Sequence, residues 1–201
     1  MSQNRIQNDY FNAYLFAARA HQNQVMPTTD KLPYIFHVAA VAAEVMLSDS
    51  FRAFSRPWLA VQCALLHDTI EDTAVTYDHV KNAFGEAVAD GVQALTKDEE
   101  LPKEKRMEDS LQRIKHQPIE VWAVKMADRI VNLTNTPRQW PYEKLKHYIT
   151  EARLIKRYLE TSSPGLTTRL NEKITSSEVL LTSGQPATLN EAKESQCLTP
   201  R

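Results

Sequence analysis

The run ALLHDTIEDT, residues 64–73, ends a nearly apolar stretch with one imidazole and three carboxylates: His67, Asp68, Glu71 and Asp72. Charges in such a setting need partners, because a buried and unpaired charge is costly. At 100° per residue, His67 and Glu71 lie about 40° apart, as do Asp68 and Asp72, so one continuous helix presents all four within an arc of about 140°. A histidine followed by an acid is weak evidence alone, since this composition yields about 0.7 such pairs by chance.

A second cluster lies in KMADRIVNLTN, where Asp128, Asn132 and Asn135 are spaced i, i+4, i+7 among Val121, Val124, Ile130, Val131 and Leu133. That spacing stacks the three on one helical face, and a carboxylate beneath two amides wants a cation. The third element is His37 in PYIFHVAAV, apolar on both sides. Each feature has a plain structural reading: His37 as a satisfied core histidine, Asp68 and Asp72 as helix-end charges in solvent, Glu71 paired with Lys81, Asp128 paired with the helix neighbouring Arg129 or with Lys125. Together, His37, His67, Asp68 and Asp128 supply two imidazoles and two carboxylates, a mix suited to a divalent metal with open positions. Mn²⁺, Fe²⁺ or Zn²⁺ would be tolerated, and no thiolate site is available.

The elements that must position these groups read as helices throughout. The spacing of Ile6, Tyr10, Tyr14 and Phe16 predicts a helix ending near His21, and residues 35–47 form an Ala/Val-rich buried one. Pro57 suits a first helical turn, and the next helix is expected to run unbroken to Thr73. Thr76 is a helix N-cap, residues 84–97 read as helical despite Gly91, and residues 98–115 as a solvated surface helix. Pro118 opens a strongly apolar helix ending near Thr136, another spans about 142–159, and Leu166 to Leu181 holds a last one. No strand-like alternation or internal repeat occurs, so the fold expected is all-α, one domain over residues 1–182 with seven to nine helices. Residues 183–201 read as a polar, mobile tail. Tyr34 and Lys97 read as structural, and His21, His79, His116 and His147 as surface residues.

Composition narrows the function classes. Lys and Arg number 24 against 25 Asp and Glu, so no net positive charge draws the chain to a phosphate backbone. The 4 glycines form neither a GxGxxG nor a GxxxxGK run, which excludes Rossmann and P-loop cradles. Cys63 and Cys197 make no CxxC, and no apolar stretch reaches the ~20 residues of a membrane span. A cytoplasmic protein with reduced thiols is expected, binding a small molecule rather than nucleic acid or membrane.

His37, the His67-Asp68 pair and Asp128 resemble the H…HD…D signature of the HD-domain metal-dependent phosphohydrolases. More narrowly, PYIFH, LLHDTIEDT and VKMADRIVNL resemble the hydrolase domain of RelA/SpoT proteins and the small alarmone hydrolases over about residues 5 to 160. The resemblance implies an all-helical fold, Mn²⁺ held by His37, His67, Asp68 and Asp128, and Glu71 with Asp72 as the pair that activates water. It further implies substrate contact by Asn132, with Asn135 standing where the family often has Thr. The implied reaction is hydrolysis of guanosine 3′,5′-bis(diphosphate) at its 3′-pyrophosphate, without synthetase activity in so short a chain. One departure bears on substrate: the family's Arg-Lys pair before the first histidine aligns with Met26 and Pro27, neither of which offers cation–π stacking or fixed donors. Another nucleotide, such as a nucleoside monophosphate or NADPH, is therefore an alternative substrate, and a non-catalytic nucleotide-binding module is a further alternative.

Overall fold

Helix α3 (Pro57–Leu66) begins with Pro57 at its first turn and buries seven of its ten residues. A helix apolar on every side belongs inside a fold, and α3 is central here. Against it lie α2 (Ile35–Met46), whose buried face carries His37, Val38, Val41, Ala42 and Val45, and α8 (Ile119–Thr134), buried over most of its length. These three helices pack on one another. Helix α1 (Gln3–Ala20) covers α3, and α9 (Tyr142–Leu159) and α10 (Pro164–Ser183) cover α8. A short α4 (Thr69–Asp72), then α5 (Tyr77–Phe84), α6 (Glu86–Leu95) and α7 (Lys103–Lys115) complete the chain. This computed structural model describes residues 3–28, 30–137 and 140–183; among them there is one isolated β-bridge, Val25 to Pro33, and no strand. The all-α, single-domain expectation holds. No described helix is long and apolar enough to cross a membrane. The polar tail, from residue 184 on and including Cys197, lies outside the described residues.

The expected continuous helix over 57–73 is broken at His67–Asp68. Asp68 sits at φ −100°, ψ 0°, between two separate helical segments. Side chains cause the break: Thr69 Oγ1 donates to the Leu66 carbonyl at 2.7 Å, and His67 Nδ1 lies 2.8 Å from the Ala64 carbonyl. Such local bonds satisfy the last carbonyls of α3 and compete with continued helix. The four polar groups therefore do not share the single 140° arc of one helix.

Two glycines have steric work. Gly85, at φ +90°, joins α5 to α6 in a conformation side chains disfavour. Gly91 lets α6 approach the core, since a Cβ there would stand 2.7 Å from Cys63 Sγ and 3.0 Å from Val121 Cγ2. The start of α8 is bolted to the start of α3 by buried Glu120, which accepts the Arg56 backbone N–H at 2.7 Å. Thr76 caps α5 as expected, with His79 completing a reciprocal capping pair.

Candidate metal and catalytic site

Because α2, α3 and α8 converge, three residues far apart in sequence meet in the core. One ligand-type atom each from His37, His67 and Asp128 lies within 4.8 Å of the others, and all three residues are buried. The two Nε2 atoms are 3.3 Å apart. Asp128 Oδ1 lies 3.5 Å from His37 Nε2 and 3.8 Å from His67 Nε2. Asp68 joins them through the break after α3: its Oδ2 lies 2.8 Å from His67 Nε2 and 3.6 Å from His37 Nε2. Three of the four expected donors, His37, His67 and Asp128, thus form one cluster, and Asp68 adjoins it through the two imidazoles.

Their surroundings hold them in place. The contact of His67 Nδ1 with the Ala64 carbonyl leaves Nε2 facing the cluster. Tyr34, read from sequence as structural, donates its hydroxyl to Asp68 Oδ2 at 2.5 Å. Asn132 donates to Asp128 Oδ1, and Lys125 Nζ stands 3.6 Å from Asp128 Oδ2. The structural alternative for Asp128, a pair with Lys125, therefore coexists with its place in the cluster. Asn135 does not reach it: its amide turns back to the Val131 carbonyl at 3.2 Å.

Electrostatics agree with the geometry. Burial alone would lower His37, but hydrogen bonds and charge from Asp128 and Asp68 override it and raise its pKa to about 10. Burial likewise opposes charge on His67, which the Asp68 and Asp128 carboxylates nonetheless push upward. Asp128 is buried and Asp68 half-buried, yet the imidazoles, and for Asp128 also Lys125, hold both below the usual carboxylate range. Carboxylates that raise the proton affinity of two facing imidazoles give the pocket a negative field that attracts a cation, and imidazole nitrogens with carboxylate oxygens form a donor set that a divalent ion accepts.

Glu71 and Asp72 leave α4 toward different partners. Glu71 pairs with Lys97 rather than Lys81, at 2.7 Å, while Lys81 pairs with Glu86. Asp72 is exposed as a residue, but its carboxyl is partly desolvated; this, and then the charges of Asp68 and Glu71, push its pKa up to about 6. Its backbone carbonyl accepts from Gln24 Nε2 at 2.6 Å, and Gln24 in turn contacts His21 Nδ1. His21, expected at the surface, is 2% exposed and packs its ring 4.9 Å from that of Tyr34. His79, His116 and His147 are exposed as expected.

Arg129, next to Asp128, is a buried residue that sequence reasoning missed. Its guanidinium lies 3.7 Å from the Tyr148 ring centre and donates to the Tyr148 carbonyl and Glu151, fixing α9 against α8 beside the cluster. Met26 is buried, and its backbone N–H bonds the Leu32 carbonyl at 2.8 Å.

The HD domain family matches residues 13–155. A zebrafish (Danio rerio) protein named guanosine-3′,5′-bis(diphosphate) 3′-pyrophosphohydrolase MESH1 is 30% identical over 161 residues, 78% of this chain and 87% of its own. Its human counterpart of the same name is 33% identical over 149 residues, 72% of this chain and 81% of its own. A solved structure described as a metazoan ortholog of SpoT that hydrolyzes ppGpp superposes with a TM-score of 0.70 at 26% identity, covering 84% of this chain and 94% of that one.

Proposed function

This chain belongs to the HD-domain family, and from that premise we propose that it is a guanosine 3′,5′-bis(diphosphate) 3′-pyrophosphohydrolase. The observation that carries the proposal is the cluster of His37, His67 and Asp128, with Asp68 against His67 and with Glu71 and Asp72 on the adjoining turn. The four donors would hold a divalent cation, for which we propose Mn²⁺, with Fe²⁺ or Zn²⁺ compatible with the same donors. When bound, the cation supplies Lewis acidity, acidifying water and offsetting phosphoryl charge.

The chain's own groups do the rest. Tyr34 and Asn132 keep Asp68 and Asp128 oriented. Glu71 and Asp72 orient the water and receive its proton as its oxygen bonds the phosphorus next to the ribose. The phosphorus–O3′ bond breaks, pyrophosphate departs, and a proton is returned to the 3′ oxygen, leaving a ribose hydroxyl. Asn132 retains amide capacity for substrate beyond its bond to Asp128. A substrate role for Asn135 rests on the family resemblance, since its amide is spent on its own helix. The proposed catalytic unit is residues 1–182. Buried Cys63 as a free thiol suits a reducing, cytoplasmic setting.

The test is product analysis by ion-exchange chromatography after incubation with guanosine tetraphosphate and Mn²⁺, with Asp68→Ala as control. GDP and pyrophosphate from the unmutated protein alone are the expected result. A second substrate is favoured by the loop at Met26 and Pro27, which lacks a stacking cation. If guanosine tetraphosphate survives while NADPH or a nucleoside monophosphate is dephosphorylated, the metal chemistry stands and the substrate assignment fails. Metal uptake with no turnover of any of them would indicate a binding module.

A further inference from the structure

We infer that Lys97 is a positioning residue that makes the two neighbouring acids unequal, locking Glu71 to orient the attacking water and leaving Asp72 to take its proton. The inference rests on the hydrolytic reading above and deepens it by dividing the work of the acid pair.

Both oxygens of Glu71 are taken by one residue. Oε2 accepts the Lys97 backbone N–H at 2.9 Å, and Oε1 accepts from Lys97 Nζ at 2.7 Å. A two-point clamp fixes the plane of the carboxylate as well as its position, and charge-assisted bonds of this kind are lost or weakened if the acceptor is protonated. Asp72 is held otherwise: Gln24 grips its backbone carbonyl at 2.6 Å, while its carboxylate accepts no hydrogen bond among the described residues. The free carboxylate is the one that can receive a proton without breaking a bond.

Lys97 is placed with care for a residue just beyond a helix end. Thr96 Oγ1 donates to the Val92 carbonyl at 2.9 Å, and Ser110 Oγ to that of Ala94 at 2.9 Å. Arg113 of α7 donates to the carbonyls of Gln93 and Thr96, both at 2.7 Å. The carbonyls that end α6 are thus tied to α7 immediately before Lys97, so the clamp rests on two helices. Lys97 is 26 residues from Glu71, and its charge is kept by that partner despite burial.

The experiment compares Lys97→Met, Lys97→Arg and Glu71→Gln with the intact protein, on guanosine tetraphosphate and on bis(p-nitrophenyl) phosphate with Mn²⁺. Lys97→Met should lower kcat about tenfold with KM unchanged, and Lys97→Arg should recover most of the loss. In a Glu71→Gln background, Lys97→Met should change kcat by no more than about twofold, because its effect passes through Glu71. Equal losses in both backgrounds, or a rise in KM alone, overturn the inference. If Lys97→Met fails to fold, Lys97→Gln serves, keeping a neutral donor. Amide hydrogen exchange gives a readout independent of substrate: Glu71→Ala should speed exchange at the Lys97 N–H roughly tenfold, and an unchanged rate overturns the clamp. A wild-type protein inert toward both substrates fails the hydrolytic reading and the division of labour with it, while the exchange result still decides the clamp.

Discussion

Replacing Asp72 with Asn should inactivate the protein and stabilise it at the same time. Burial, then the charges of Asp68 and Glu71, move this carboxyl from its ordinary 3.8 to about 6. By linkage, a carboxyl whose pKa is raised by folding opposes folding once ionised. The penalty is absent below 3.8, grows across the interval, and is complete above about 6. The full shift corresponds to about 3 kcal/mol, and solvent access to the group reduces the usable part to about 1 kcal/mol. For a chain of this size that is a rise in Tm of about 2–4 °C. The assay is thermal unfolding in chelator, so that no cation relieves the repulsion, run near neutral pH and again as pH falls toward 3.8, where the gain should vanish. Turnover should drop by about 10²–10⁴-fold with loss of the proton acceptor. An Asn variant that melts at or below the unmutated protein near neutral pH refutes the electrostatic reasoning, and one that keeps full turnover refutes the role.

Three further outcomes follow from packing and hydrogen bonding. Tyr34→Phe removes the 2.5 Å bond to Asp68 and should weaken Mn²⁺ binding, read by calorimetry, about tenfold; unchanged affinity would free Asp68 of any dependence on Tyr34. Glu151→Ala strands the Arg129 guanidinium and should cost about 2 kcal/mol in urea unfolding, seen as a lower midpoint at constant slope. Gly91→Ala forces a methyl group against Cys63 and Val121 and should cost about 1–3 kcal/mol, whereas a neutral result would mean that α6 can slide outward freely.

The helices and the metal-type donors were legible because each announces itself locally. A proline at residue 57 or 118 marks a helix start, and His37 or Asp128 stands out as a polar group in an apolar run. What was not legible depends on partners remote in sequence or on side-chain competition for carbonyls. Nothing periodic signals that Thr69 and His67 will end α3, yet that break is what lets Asp68 reach the same point as His67. His21 precedes a polar run and reads as surface, but Tyr34 and Gln24 bury it. Lys97 and Arg129 acquire their roles only from Glu71 and Glu151, residues 26 and 22 positions away.

The cluster is closed by contacts between helices distant in sequence. Thirty residues separate His37 from His67, and roughly twice as many separate His67 from Asp128, whereas helical proteins fold quickly on short-range contacts. A cation can therefore find its full set of donors only after α2, α3 and α8 have met. Its binding energy then belongs to the finished state and not to the route toward it. Manganese should slow unfolding while leaving the refolding rate unchanged, acting as a lock turned after the door has shut.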